Sequence, residues 1–382
     1  MRGSVSAVQA TAQLPGRVRA RRPLLLLTPL LAAACSYLDE AGPRQAAVIP
    51  DSAQPTAAAG FAGAPAPTTA MQMPGIGAVD APPEPALDVM PELLSQTGLY
   101  SNVTNRTLGA DVQLFSPSYP LWSDAAGKNR WIRLPAGAQI DTSDMDVWKL
   151  PIGTKLWKEF EQNGHAIETR YMAKYGPTEQ DWLFIAYQWN AEQTEASAVP
   201  QGVENAAGGS HDIPSVATCK QCHNSAPMAA LGFSALQLAH GGPGLTLDTL
   251  TAAGQLSAPP ATALAIPGDP VSVQALGYLH GNCGGCHNDR ATQNFGVAET
   301  KIVFWQSAQQ LSSLEQTSTY VNLVTNTRGD LTRLVHGLNR MKMRDRFTQM
   351  PPLGTEVVDA QGVALVESWV NQLQTQLGSR TP

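Results

Sequence analysis

Cys219-Lys220-Gln221-Cys222-His223 and Cys283-Gly284-Gly285-Cys286-His287 share one spacing, C-x-x-C-H. Two thiols about one helical turn apart can bond both vinyl groups along one porphyrin edge, and the adjoining imidazole then reaches the iron from one face. This is the attachment signature of a c-type haem. The sequence therefore predicts two covalently attached haem c groups with His223 and His287 as metal ligands. Other uses of paired cysteines fit less well. A thioredoxin-like dithiol belongs in a βαβ context, and none is visible here. Four-thiolate zinc sites separate their pairs by about 15 to 20 residues, whereas 60 lie between Cys222 and Cys283. A plain disulfide would leave the two following histidines unexplained.

The elements that must position the second signature can be read in order. Pro270 precedes Val273, Leu276, Leu279 and His280 at helical spacing, so Val271 to Asn282 is expected to be a helix delivering Cys283. Gly329 and Asp330 open a second helix carrying Leu331, Leu334, Val335 and Leu338, with His336 on it. Gln349-Met350-Pro351-Pro352-Leu353-Gly354 follows, and a terminal helix starts near Asp359 with Val363, Val366, Trp369, Val370 and Leu373. C-x-x-C-H, then a Met-Pro loop, then a closing helix resembles the class I cytochrome c fold over residues 266–378. The resemblance implies His287 as proximal ligand and Met350 as the ligand on the opposite face, with Met341 or Met343 as substitutes. A thioether suits soft ferrous iron, and His/Met ligation raises the reduction potential.

The first haem has no such frame. Met228 stands five residues beyond His223, about 17 Å of extended chain, which barely rounds a porphyrin edge and marks it as a packing residue. His165, Met172, His211 and His240 stay open as sixth ligands. His280 and His336 read as packing or surface residues.

Upstream, from Leu114 to Asn190, the pattern turns to short alternating segments. These are Trp131 to Leu134, Val147 to Leu150, Lys155 to Phe160, Ile167 to Tyr171 and Asp181 to Trp189, punctuated by Gly153, Gly164 and Gly176-Pro177. A β-sandwich or small barrel is expected. The fold class is thus α+β and multidomain, a β-rich domain followed by a mainly helical class I cytochrome c-like one. Trp122, Trp131, Trp148, Trp157, Trp182 and Trp189 fall in the β-rich span. They read first as its core and second as a stacking or docking face.

Phe115-Ser116-Pro117 with Tyr119-Pro120-Leu121, then Pro151-Ile152-Gly153-Thr154, Glu168-Thr169-Arg170 and Tyr187-Gln188-Trp189-Asn190, lead into the two signatures and Met350-Pro351-Pro352. Over residues 110–375 this succession resembles a poorly characterised family of di-haem c-type cytochromes from Gram-negative bacteria. That resemblance implies periplasmic or outer-membrane electron transfer.

The N-terminus supplies the address. Arg17, Arg19, Arg21 and Arg22 precede an apolar run from Leu24 to Ala34, which ends in small residues before Cys35. Residues 1–34 read as a signal peptide. The junction resembles the lipobox of bacterial lipoproteins, which implies lipidation of Cys35, and Ser36 implies the outer membrane. Residues 35–93, rich in Ala, Pro and Gly, form a disordered tether, followed by a β-rich domain (94–210), a first haem-binding segment (211–265) and the second haem domain (266–382).

With 25 Lys and Arg against 31 Asp and Glu, the net charge of -6 gives no broad cationic surface for nucleic acid. The expected partners are redox proteins of the cell envelope, and the membrane through the lipid anchor. The leading expectation is a one-electron carrier rather than a catalyst. The alternative is a peroxidase-like haem enzyme or oxidoreductase subunit with an open coordination site at the first haem.

Overall fold

Strand-forming residues and tight turns build the first half of the chain around one antiparallel sheet. The structure, a computed structural model, describes residues 90–290 and 301–379. The signal segment, Cys35 and nearly all of the tether lie outside them. Two short strands, β1 (Tyr100–Asn102) and β2 (Thr107–Leu108), pair at the start. Then β3 (Gln113–Leu114), β4 (Gly127–Arg133), β5 (Lys155–Gln162), β6 (His165–Lys174), β7 (Trp182–Trp189) and β8 (Ala196–Ala198) form a six-stranded sheet in chain order. Asn163 and Gly164, both at positive φ (52° and 79°), make the two-residue turn between β5 and β6, the conformation that suits the strand twist. A last pair, β9 (Val203–Ala206) and β10 (His211–Ile213), follows.

The sheet stays open, with β3 and β8 as its edges, so it is neither the closed barrel nor the two-sheet sandwich expected. Both faces are covered by other elements. Trp131, Trp157, Tyr171, Ile185 and Tyr187 pack under Leu94 and Leu99 on one face. Ile132, Leu156, Met172 and Phe184 pack on the other with Cys219, Met228 and Phe233 from the first haem-binding segment. Val147 to Leu150 is not a strand. It touches only through the Asp141–Lys149 bridge, because Asp144 turns the chain by accepting from the Asp146 N–H and Pro151 ends it without a donor. Trp148 and Leu150 are buried there all the same.

Helices form the second half. They are α1 (Val216–His223), α2 (Ala235–Leu238), α3 (Leu247–Ala252), α4 (Pro270–Asn282), α5 (Ser318–Tyr320), α6 (Thr332–Met341) and α7 (Ala360–Gly378). Asp269 caps α4 by accepting from Val271 and Ser272, and Asp359 caps α7 by accepting from Gly362, each satisfying orphan N–H groups of the first turn. Leu276, Leu279, Leu334, Val366, Trp369 and Leu373 share one core, which brings α4, α6 and α7 together. Among the described residues, no helix is long and apolar enough to cross a membrane.

Candidate functional site

Ser215 starts α1 by accepting from the Thr218 N–H, and the helix then carries Cys219, Cys222 and His223 on consecutive turns. It lies against β7, where the Phe184 ring is 5.0 Å from that of His223. His223 Nδ1 and the Ala229 carbonyl oxygen are 2.6 Å apart. An N–H must donate to a carbonyl, so the proton sits on Nδ1 and Nε2 keeps its lone pair, the tautomer that ligates a metal. Burial pulls the His223 pKa down to about 4, so the ring is neutral at neutral pH. His223 and Cys222 are half-buried and keep partial solvent access, as residues lining a crevice do.

The second signature begins where α4 ends. Cys283 is its C-cap, and the N–H groups of Cys286 and His287 return to the Cys283 carbonyl at 3.1 and 2.8 Å, closing one turn. A side chain at Gly284 would meet the His280 carbonyl at 2.7 Å, so only glycine lets this turn fold onto the helix. His287 is also shifted down to about 4 by burial, with Arg340 nearby. Its Nδ1 is buried and has no partner among the described residues. The four cysteines of the two signatures are free thiols. Burial raises their pKa values, to about 11 at Cys219 and Cys286 and about 12 at Cys283, so the free thiols are protonated at neutral pH.

The two signatures meet. Cys222 adds to the upward shift that burial gives the Cys286 thiol, and the Asn288 side-chain amide donates to the carbonyls of Ser225, Gly284 and Gly285. A Cβ on Gly285 would touch Leu231 at 3.5 Å. Even so, among the described residues no group of three or more His, Cys, Asp or Glu could hold a metal ion. Free thiols in C-x-x-C turns, each followed by a neutral imidazole, are a donor set that could hold a covalent haem at each signature.

Met350 shares a small cavity with Trp122, Tyr278, Met341, Arg344 and Val363, and its N–H donates to the Arg340 carbonyl. Met343 is exposed. Of the candidates for a sixth ligand at the first haem, Met172 is buried in the cluster that holds Cys219, as is Met228. His165 is exposed beside the β5–β6 turn. His211 Nε2 lies 2.8 Å from Glu168, and His240 Nε2 bonds the Ser116 carbonyl. His280 is buried and His336 exposed. Five of the six tryptophans of the β-rich span are core residues. Trp122 alone is partly open, and its Nε1 donates to the Val357 carbonyl.

Sequence reading missed the cationic surface beside the first signature. Lys128, Arg130, Lys158 and Arg170 all stand on the sheet face that α1 covers, and Lys158 and Arg170 both lower the His223 pKa. Only strand register reveals them. No family model, curated protein or solved structure matches the chain.

Proposed function

We propose that the chain is a di-haem c-type cytochrome that carries single electrons in the periplasm or at the outer membrane, anchored through a lipid on Cys35. The observation that carries this reading is the meeting of the two signatures across 60 intervening residues, held by Asn288. Placing two such centres side by side has no value for a structural disulfide or a single-centre enzyme, and suits a relay. Haem bound at each signature would supply the one-electron couple. His223, fixed by Ala229, and His287 would present their Nε2 atoms to iron. Met350 is the proposed opposite ligand of the second haem, within a class I cytochrome c-like arrangement in which Gly362 of α7 receives the Tyr278 ring of α4.

The test is an absorption spectrum with a pyridine haemochrome count on full-length protein matured in a haem-attaching host. Two thioether-linked haems per chain, low-spin when ferric and without carbon monoxide binding after reduction, are expected. Colourless protein removes the haem reading. A high-spin component with peroxide turnover replaces the carrier with an enzyme.

A further inference from the structure

Strand register sets three cations in one row across the sheet. Arg130 of β4 pairs with Lys158 of β5, and Lys158 pairs with Arg170 of β6. Like charges directly opposed on neighbouring strands destabilise a sheet, and adjacent strands stand about 4.8 Å apart. Lys128, two residues before Arg130, adds a fourth charge on the same face. The next row is Ile132, Leu156, Met172 and Phe184, part of the apolar cluster with Cys219. The cations therefore border the seat of the first haem.

Carboxylates do not balance them. Glu168 is a buried acid of β6 on this sheet face, and it is already used. Arg170 Nε donates to both its oxygens and His211 Nε2 lies 2.8 Å from Oε1. Asp124 and Asp359 act on Lys128, whose Nζ donates to the Leu121 carbonyl. Arg130 is 7 % exposed and has no side-chain hydrogen bond or ion pair among the described residues. Lys158 is half-buried, with the Phe160 ring 4.7 Å from its Nζ and Glu168 attracting it, and Arg170 lies over the same ring at 4.3 Å. Burial pulls Arg130 to about 10, and burial with the neighbouring cations pulls Lys158 well below an ordinary lysine. Arg130, taken out of water without a partner, is costly, and with the half-buried cations beside it the row calls for an anion.

We infer that Arg130 and Lys158, with Lys128 and Arg170 at their flanks, form a carboxylate-binding site for the propionates of the first haem and hold that haem's potential high. This rests on the haem reading above. The row runs about 10 Å over three strands, from Arg170, which faces the Cys219 and Cys222 thiols, to Arg130 farther from them. The propionates lie on the porphyrin edge away from the thioether links. A positive charge beside the haem favours the reduced form, which carries one more electron. At about 10 Å and an effective dielectric near 20, one charge is worth roughly tenfold in the reduced-to-oxidised ratio, about 59 mV.

The test is spectroelectrochemical titration of the matured full-length protein and its Lys158→Met, Lys158→Arg and Arg130→Gln variants. Met350→Ala identifies the haems, since the midpoint it leaves in place belongs to the first. Lys158→Met and Arg130→Gln should each lower the first midpoint by a roughly tenfold ratio and leave the second alone, while Lys158→Arg stays near wild type. Loss of one haem from Lys158→Met with retention in Lys158→Arg supports the same conclusion. Two haems with unmoved midpoints in both neutral variants overturn it, as does a Lys158→Arg shift as large as that of Lys158→Met. A midpoint that moves on adding inorganic phosphate to wild type also overturns it, because a soluble anion would then fill the row. Wild-type protein without two haems sinks the haem reading instead.

Discussion

His280 sits 2 % exposed within the core of the second half, and its two ring nitrogens have unequal fates. Nδ1 accepts from the Gln306 N–H at 3.1 Å, so the proton is on Nε2, which is buried with no partner among the described residues beside the Trp305 ring at 4.6 Å. Burial holds the ring's pKa near 4. Between pH 6.5 and 4 the unfolded chain takes up a proton that the fold refuses. Stability therefore rises with pH across this window and is lost as pH falls through it, by up to about 3 kcal/mol. His280→Asn keeps an acceptor for Gln306 without titrating. Denaturant midpoints at pH 7 and pH 4.5 should fall less in this variant than in wild type, and equal falls would remove His280 from the acid response. The helical spacing around His280 was legible in the sequence, because periodicity alone marks a buried position. The Gln306 contact was not, since it joins residues 26 apart in the chain.

At the scale of elements, α4 owes its place to two glycines one turn apart. A Cβ at Gly277 would lie 2.0 Å from the Tyr119 ring, and one at Gly281 would lie 2.3 Å from the Tyr119 carbonyl. The strap from Ser116 to Trp122 thus runs in a groove on the helix. Gln237 holds it from one side, accepting from the Tyr119 N–H, and Asn282 from the other, accepting from the Trp122 N–H. Gly337 of α6 has open space where its Cβ would be. Gly277→Ala should destabilise by about 1 to 3 kcal/mol through overpacking, whereas Gly337→Ala should stabilise by about 0.5 to 1 kcal/mol through lower chain entropy. Thermal unfolding of both variants reads the opposite signs, and a harmless Gly277→Ala would mean the strap does not lie there. The helices bounded by Pro270 and by Asp359 stood out in the sequence because caps and periodicity are local. The open sheet did not, since alternation gives strands without saying whether their ends close. Nor did the cationic row, for Arg130, Lys158 and Arg170 each read alone as an ordinary polar position, and only pairing sets them side by side.

On the scale of the whole molecule, the problem is to bring together two signatures that the chain separates widely. Loop-closure entropy grows only slowly with length, so a few well-placed contacts can hold the junction. Asn288 supplies buried donors to carbonyls on both sides, Leu231 meets Gly285, and Leu236 of α2 belongs to the core shared by α4, α6 and α7. The spacing of each motif was readable from sequence because covalent attachment demands it. Their convergence was not, because nothing local encodes it. If both motifs carry ferric haem, two unpaired spins are close neighbours, and each should broaden the other's electron paramagnetic resonance lines. Reduction of the higher-potential haem silences one spin, so the remaining signal should sharpen during a redox titration of the intact protein. Lines that stay equally sharp from the fully oxidised to the half-reduced state would show the two centres to be magnetically isolated, and a relay between adjacent haems would then have no structural basis at this junction.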